Sequence, residues 1–178
     1  MKKIPTLFSR DPDDMRQVTR QVNPAAKWVL DSEGRATRKF DGTCVMLDEE
    51  GAWWARREVK PGKSFPPGFR EEETDPNTGK TVGWEPIDRS PFFKAFSTVN
   101  ELPAEPGTYE LVGPKVNSNP EGYDTHQLVP HGAWLLDDVP LGFDELAAWL
   151  QAHDFEGIVW HHPDGRMAKL KRRDFPRG

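Results

Sequence analysis

The chain has little cysteine and no long apolar run, and both shortages narrow its class. Cys44 is the single cysteine among 178 residues, which excludes an internal disulfide and favours a reducing, cytosolic compartment. No window approaches the roughly 18 consecutive apolar residues that a membrane span needs. The first residues do not lead into a secretory apolar stretch either. We therefore expect a cytoplasmic protein with no membrane partner.

An excess of positive charge is also missing. The formal net charge is −5, which argues against a general nucleic-acid binder because phosphate backbones are bound by basic surfaces. A G-x-x-x-x-G-K phosphate loop is absent as well, so a P-loop ATPase is disfavoured. Two groups of residues could still form local basic surfaces. The first is Arg56, Arg57, Lys60 and Lys63, and the second is Lys169, Lys171, Arg172, Arg173 and Arg177.

Large aromatic side chains are plentiful in a chain whose hydrophobic content is 35%. Seven Trp and ten Phe supply the apolar surface for a core, and a length of 178 residues suits one domain. We predict a single domain over 1–178. A Pro- and Gly-rich excursion at about 61–106 is interpreted as a long loop of that domain.

Hydrophobic patterning predicts a β-rich chain with a few helices. The spacing of Met15, Val18 and Val22 favours a short helix within 8–22. An acidic first turn and one apolar side favour another helix over 144–152. Two hairpins are predicted, one with strands at 44–47 and 52–55 and one with strands at 158–161 and 167–171. Three further strands are predicted at 108–113, 128–129 and 133–136.

The last predicted strand carries two lysines on one side. Alternation places Met167, Lys169 and Lys171 on one face and Ala168 and Leu170 on the other. Both lysines can therefore point into one pocket, although solvated lysines on a strand face would give the same pattern.

Four short motifs follow one another along the chain. The first is Lys39-Phe40-Asp41-Gly42, and the others are Tyr109-Glu110-Leu111-Val112, Glu156-Gly157-Ile158-Val159 and Lys169-Leu170-Lys171. A lone K-x-D-G is a weak signal, whereas the ordered set is a specific one.

The residue types in these motifs suit nucleotidyl transfer. A lysine with its usual pKa of about 10.4 is almost entirely protonated at pH 7, so desolvation or nearby cations must favour the neutral amine before it can attack. Lys169 and Lys171 are candidate cations, and they can also neutralise charge that develops on a phosphate. Glu156 suits Mg²⁺, which prefers oxygen ligands. Gly42 would permit a tight turn beside the nucleotide.

The ordered motifs resemble the nucleotidyltransferase motifs of ATP-dependent polynucleotide ligases and mRNA capping enzymes. From about Lys39 onward the chain is similar to a small 5′-to-3′ RNA ligase family found in vertebrates. The most specific shared runs are Leu-Val-Pro-His-Gly-Ala at 128–133 and Glu-Gly-Ile-Val-Trp-His at 156–161.

The resemblance implies a fold, an activity and cofactors. The fold would be the α+β nucleotidyltransferase fold, with antiparallel sheets flanked by a few helices. The activity would be ATP-dependent joining of RNA 5′-phosphate and 3′-hydroxyl ends through a lysyl-AMP and an adenylated RNA. ATP and Mg²⁺ (or Mn²⁺) would be the cofactors, and no obligate protein partner is implied.

Roles carry over from the family onto matching positions. Among the catalytic residues, Lys39 would become adenylated, Asp41 would shape the pocket and Lys169 would hold the α-phosphate.

The binding residues carry over in the same way. Arg56 would contact the ribose or an RNA phosphate, Glu110 the ribose, and Glu156 a divalent metal, while Lys171 would assist Lys169. The match at Lys171 is weaker, because the vertebrate relative has a histidine there.

Two departures from the family pattern keep other functions open. Thr43-Cys44 stands where many ligases have a basic residue, and the sequence ends at Gly178 without the C-terminal domain that DNA ligases and capping enzymes use. The absence of that domain lowers two alternatives, namely a capping-type guanylyltransferase and a DNA ligase. A third alternative is an inactive nucleotide- or RNA-binding module.

The histidines favour structural roles. His161 and His162 would point to opposite faces of a strand, so a metal site with Asp164 is disfavoured. His126 and His131 are interpreted as contacts to a phosphate or as loop-shaping residues.

Overall fold

A computed structural model describes residues 1–176, and the chain divides into two units. One unit contains Met1–Lys3 and Asp41–His131, and the other contains Ile4–Phe40 with the described residues from Gly132 onward. The strands are β1 Phe8–Arg10, β2 Val18–Val22, β3 Arg35–Lys39, β4 Thr43–Leu47, β5 Trp53–Val59, β6 Arg70–Thr74, β7 Thr81–Pro86, β8 Gly107–Val112, β9 Gln127–Pro130, β10 Gly157–His161 and β11 Met167–Lys171. The helices are α1 Phe93–Phe96, α2 Phe143–Gln151 and three 3-10 turns, Pro24–Val29, Ile87–Arg89 and Arg172–Asp174.

The unit that contains Asp41–His131 is built on a six-stranded antiparallel sheet. Its strand order is β6-β7-β5-β4-β8-β9. Alternating residues of β4, β5 and β8 face a core under α1, which follows from the two-residue period of strands. This core consists of Val45, Leu47, Ala55, Ile87, Phe96, Tyr109, Leu111 and Val116.

The other unit has a three-stranded sheet in the order β11-β10-β3 and a two-stranded sheet of β1 and β2. Its core gathers the apolar sides of these strands and of α2, including Phe8, Leu146, Leu150, Ile158 and Leu170. The outer edge of β11 is paired with the residues before β1, since Lys169 donates its backbone N–H to the carbonyl of residue 5. The lysine-bearing strand is therefore hydrogen-bonded on both sides.

The structure does not contain the helix predicted within 8–22. Instead, β1 and β2 form an antiparallel pair in which Phe8 lies opposite Val22. Pro12 disfavours a helix interior, and the backbone N–H of Asp13 donates to the Asp11 carboxylate at 2.9 Å in the connecting turn. The β-branched Val18 and Val22 suit strands, so their helical spacing is coincidental.

Both predicted hairpins are confirmed. The strands predicted at 108–113 and 128–129 and the helix predicted at 144–152 are confirmed as well, and most of their ends differ from the prediction by no more than two residues. The strand predicted at 133–136 is wrong. That segment makes one bridge, Thr37 to Leu135, with backbone hydrogen bonds to β3 on either side. The excursion at 61–106 contains β6, β7 and α1, so much of it is ordered secondary structure.

Overall, the described residues form mostly antiparallel sheets with few helices. Within residues 1–176, no helix is long and apolar enough to cross a membrane.

Candidate active site

Lys39 and Lys171 lie in one row across three strands. Lys39 ends β3 and is paired with Gly157, the first residue of β10, which is paired in turn with Lys171 on β11. Cross-strand partners project from the same face of a sheet. Because Gly157 has no side chain, none stands between the two lysines.

Glu156 precedes this row and forms an ion pair with each lysine. Its Oε2 accepts a hydrogen bond from Lys39 Nζ at 2.6 Å, and its Oε1 contacts Lys171 Nζ. The side chains of Lys39, Glu156 and Lys171 are 19%, 8% and 16% exposed. The Glu156 carbonyl also accepts the backbone N–H of Arg172 at 2.9 Å, which fixes the backbone that carries the carboxylate.

The two lysines determine the charge state of Glu156. Burial on its own would raise the pKa of this carboxyl group, but Lys39 and Lys171 together hold the pKa below its usual value. Glu156 is therefore ionised at neutral pH. An ammonium has no lone pair with which to attack, so Lys39 must lose a proton before it can act as a nucleophile. The sequence suggested lysines as the close neighbours of Lys39, and the structure adds a carboxylate, Glu156, as an ionic partner.

Lys169 lies on the same face as this cluster. It is paired with Val159 on β10, which is paired with Thr37 on β3. The intervening Ala168 and Leu170 are fully buried in the core. The prediction that Lys169 and Lys171 share one face, away from the core, is thus confirmed.

The other unit places Glu110 beside Gly42. Gly42 donates its backbone N–H to Glu110 Oε1 at 3.1 Å. Glu110 Oε2 contacts His131 Nε2 at 2.7 Å, and the opposite nitrogen of His131 hydrogen-bonds Thr108 Oγ1 at 2.9 Å. Both carboxylate oxygens are thus fixed. Because both His131 nitrogens are engaged, its ring orientation is fixed as well.

Gly42 is required for a reason that differs from the predicted tight turn. A Cβ at this position would lie 2.2 Å from the carbonyl oxygen of Leu111, so any side chain would collide with the backbone of β8. The K-x-D-G glycine allows β8 to approach closely.

Asp41 is held by the loop that carries the Asn-Ser-Asn-Pro run at 117–120, which is not among the predicted site residues. Asn117 Nδ2 donates to Asp41 Oδ1 at 3.0 Å and to the Gly42 carbonyl at 2.7 Å. Glu121 accepts the backbone N–H of Asp41 at 2.7 Å. Residues 117–119 have φ values of 46°, 66° and 56°, and such strained left-handed residues are concentrated at functional sites. The run Asn-Ser-Asn-Pro was the available signal, because asparagine tolerates this conformation best.

Arg56 lies on β5, where its Nε donates to the Met1 carbonyl at 3.2 Å. It is paired across the sheet with Trp84. In the C-terminal basic group, Arg172 donates to the carbonyl of His153 at 3.1 Å. Arg177 lies outside the described residues.

The paired histidines have separate structural contacts, as their alternation predicted. His161 Nε2 hydrogen-bonds Thr37 Oγ1 at 3.1 Å, while His162 contacts Glu33 and Asp164. Across residues 1–176, no group of three or more His, Cys, Asp or Glu side chains is arranged to hold a metal ion.

The donor set at Glu156 suits a divalent ion that brings further ligands with it. A single carboxylate cannot by itself form a resident metal site, and both of its oxygens contact lysines. Mg²⁺, however, commonly binds through one or two carboxylates together with the phosphates of a substrate. Glu156 therefore suits a cation that arrives with a nucleotide.

The second half of the chain is similar to a known protein family. The family model of RNA ligase 1 matches residues 95–176. RNA ligase 1 of Pongo abelii, of Rattus norvegicus and of Danio rerio are each 39% identical over 74 residues, which cover 36% of this chain. The same match covers 23% of each relative's length. The family-model match includes Glu110, Glu156, Lys169 and Lys171 but begins after Lys39. In the region that supplies most of the candidate site, the chain is therefore similar to RNA ligase 1.

Proposed function

We propose that this protein is an ATP-dependent RNA ligase in which Lys39 carries AMP. The observation that carries the proposal is the Lys39–Glu156–Lys171 cluster, with Lys169 on the same face. The similarity to RNA ligase 1 supports RNA as the substrate. The covalent step depends on Lys39, which lies outside the matched segment.

Three in-line displacements at phosphorus make up the proposed reaction. First, the neutral amine of Lys39 attacks the α-phosphorus of ATP; an N–P bond forms, pyrophosphate leaves and the amine proton is released. Next, a 5′-phosphate oxygen of RNA attacks the AMP phosphorus, and the N–P bond breaks. Finally, the RNA 3′-hydroxyl oxygen attacks the 5′-phosphorus, its proton is lost and AMP leaves. Positioning and charge neutralisation dominate such transfers.

The lysines and Glu156 have distinct proposed tasks. Lys169 would bind the α-phosphate and neutralise the charge that develops there, with Lys171 assisting. Glu156 would orient Lys39 and hold a nucleotide-borne Mg²⁺ or Mn²⁺. When bound, that ion supplies charge neutralisation at the phosphates.

Residues of the other unit have binding roles in this proposal. Glu110, whose oxygens are fixed by Gly42 and His131, would accept a hydrogen bond from the ribose. Asp41, fixed by Asn117, would shape the nucleotide pocket. Arg56 would contact the ribose or the phosphate of an RNA end.

Nucleotide choice tests this proposal. We expect incubation with α-labelled ATP and Mg²⁺ to leave label on the protein, while α-labelled GTP leaves little. The label should leave the protein when 5′-phosphorylated RNA is added, because AMP moves to the RNA end. Preferential labelling by GTP would indicate a capping-type guanylyltransferase. Labelling by neither nucleotide would indicate a binding module and would contradict the proposal.

A further inference from the structure

The loop between β5 and β6 displays a stacked aromatic pair. Phe65 is 51% exposed, and its ring lies against that of Phe69 with centroids 5.0 Å apart and planes 24° apart. Stacking of this kind leaves the outer face of Phe65 open to another flat group. Single exposed apolar side chains are common on protein surfaces, so it is the stacked arrangement rather than the exposure that makes this pair a candidate contact surface.

Two proline–glycine turns hold this loop in one shape. Lys63 donates its backbone N–H to the Lys60 carbonyl at 3.1 Å, and Phe69 donates to the Pro66 carbonyl at 3.0 Å. The third residue of each turn, Gly62 and Gly68, has a φ of 74° and 78°. Proline at the second position and a left-handed glycine at the third define type II turns. The turns therefore restrict the backbone at 60–63 and 66–69, on both sides of Phe65.

Phe69 is fixed from below by β7. A Cβ added at Gly83 would lie 2.5 Å from the Phe69 ring, so this glycine makes room for the ring. Phe65 therefore rests on an anchored partner, and little side-chain entropy would be lost when a ligand stacks on it.

Two exposed lysines precede the aromatic pair in the loop. Lys60 and Lys63 are exposed, and the first turn brings their Cα atoms within about 7 Å of each other. Among the described residues, neither forms a salt bridge with a carboxylate. The adjacent strand β6 carries the carboxylates of Glu71, Glu72 and Glu73, of which Glu72 forms an ion pair with the N-terminal amine at 3.3 Å. Lys60 and Lys63 are therefore two cations that have no carboxylate partner within residues 1–176 and that could contact an anion.

We propose that this loop binds the single-stranded RNA substrate, with one base stacked on Phe65 and phosphates on Lys60 and Lys63. An open ring face next to paired cations is the combination that binds single strands with little sequence preference. This inference rests on the proposed function, which identifies the bound strand as RNA. It assigns to the 60–69 loop a role in RNA binding that is separate from nucleotide binding.

Fluorescence anisotropy with a dye-labelled, 5′-phosphorylated oligouridylate tests the loop without requiring catalysis. Phe65→Ala should weaken binding roughly 5- to 150-fold, the range for loss of one base–aromatic stack. Phe65→Trp should bind at least as tightly as the parent, because it keeps the flat face. Phe93→Ala, which removes a 42% exposed phenylalanine from α1, is the matched control and should bind like the parent. Lys60→Ala and Lys63→Ala should each reduce the slope of log affinity against log salt by about 0.7.

Self-adenylation measured on the same variants separates the two proposals. Phe65→Ala should form lysyl-AMP at the parent rate. If Phe65→Ala binds RNA as tightly as the parent, or if the parent does not bind RNA, the loop assignment is overturned. If no variant forms lysyl-AMP while Phe65→Ala alone loses RNA affinity, the loop assignment stands and the proposed function fails.

Discussion

Lys39→Arg should leave no AMP on the protein. The parent, incubated with ATP and Mg²⁺, should gain the mass of one AMP, and peptide mapping should place it on Lys39. Arginine at this position keeps a positive charge beside Glu156, so the ion pair with this buried carboxylate is retained. A guanidinium stays protonated and cannot attack phosphorus. The variant therefore removes the nucleophile while the local charges are preserved.

Lys94→Arg is the matched control for this experiment. Lys94 lies exposed on α1, and the same exchange there should leave the AMP adduct at the parent level. An adduct that persists in Lys39→Arg would show that another residue carries the nucleotide.

Glu156→Gln and Lys169→Ala should each slow self-adenylation by roughly 10²-fold or more, the size expected when one transition-state contact is lost. Glutamine keeps the volume of Glu156 but removes the charge that pairs with Lys39 and Lys171. Alanine at 169 removes the cation assigned to the α-phosphate. Rates should be compared at saturating ATP, so that the chemical step is measured.

Thermal unfolding distinguishes a chemical loss from a structural one. Both variants should keep a cooperative transition, because Glu156→Gln retains the packed volume and Lys169 projects away from the core side of β11 that Ala168 and Leu170 form. Lys94→Ala should behave like the parent in both measurements. Adenylation near the parent rate in Glu156→Gln and Lys169→Ala together would mean that this cluster is not the reacting site.

Local patterning predicted the strands whose two faces differ strongly. The alternation of Ala168 and Leu170 with Lys169 and Lys171 is visible in the sequence and was confirmed. The helix within 8–22 failed because Met15, Val18 and Val22 mimic helical spacing, while the turn around Pro12 decides the structure. Strand β3 was missed because Arg-Ala-Thr-Arg-Lys has few apolar residues, and its strand conformation depends on pairing with β10.

Long-range contacts of the site were beyond sequence reasoning. The residue types at 39, 156 and 171 were recognised in the sequence. The ion pairs of Glu156 with both lysines, however, depend on the register in which β10 pairs with β3, which lies more than a hundred residues earlier, and with β11. The supports of Asp41 and Glu110 come from Asn117 and His131, which local patterning can mark only as loop residues. Their partners are defined by the fold.

Ligation of three matched strands tests the central claim most directly. The strands are a 5′-phosphorylated single-stranded RNA, the same sequence in DNA, and that DNA with one ribonucleotide at its 3′-hydroxyl end, each incubated with ATP and Mg²⁺. A protein distinguishes RNA from DNA through the ribose 2′-hydroxyl, so we expect the RNA to be circularised or joined and the all-DNA strand to be sealed poorly. Equal sealing of all three strands would contradict an RNA ligase. If a nicked DNA duplex, tested in parallel, were sealed efficiently while the RNA was not, that result would contradict it as well.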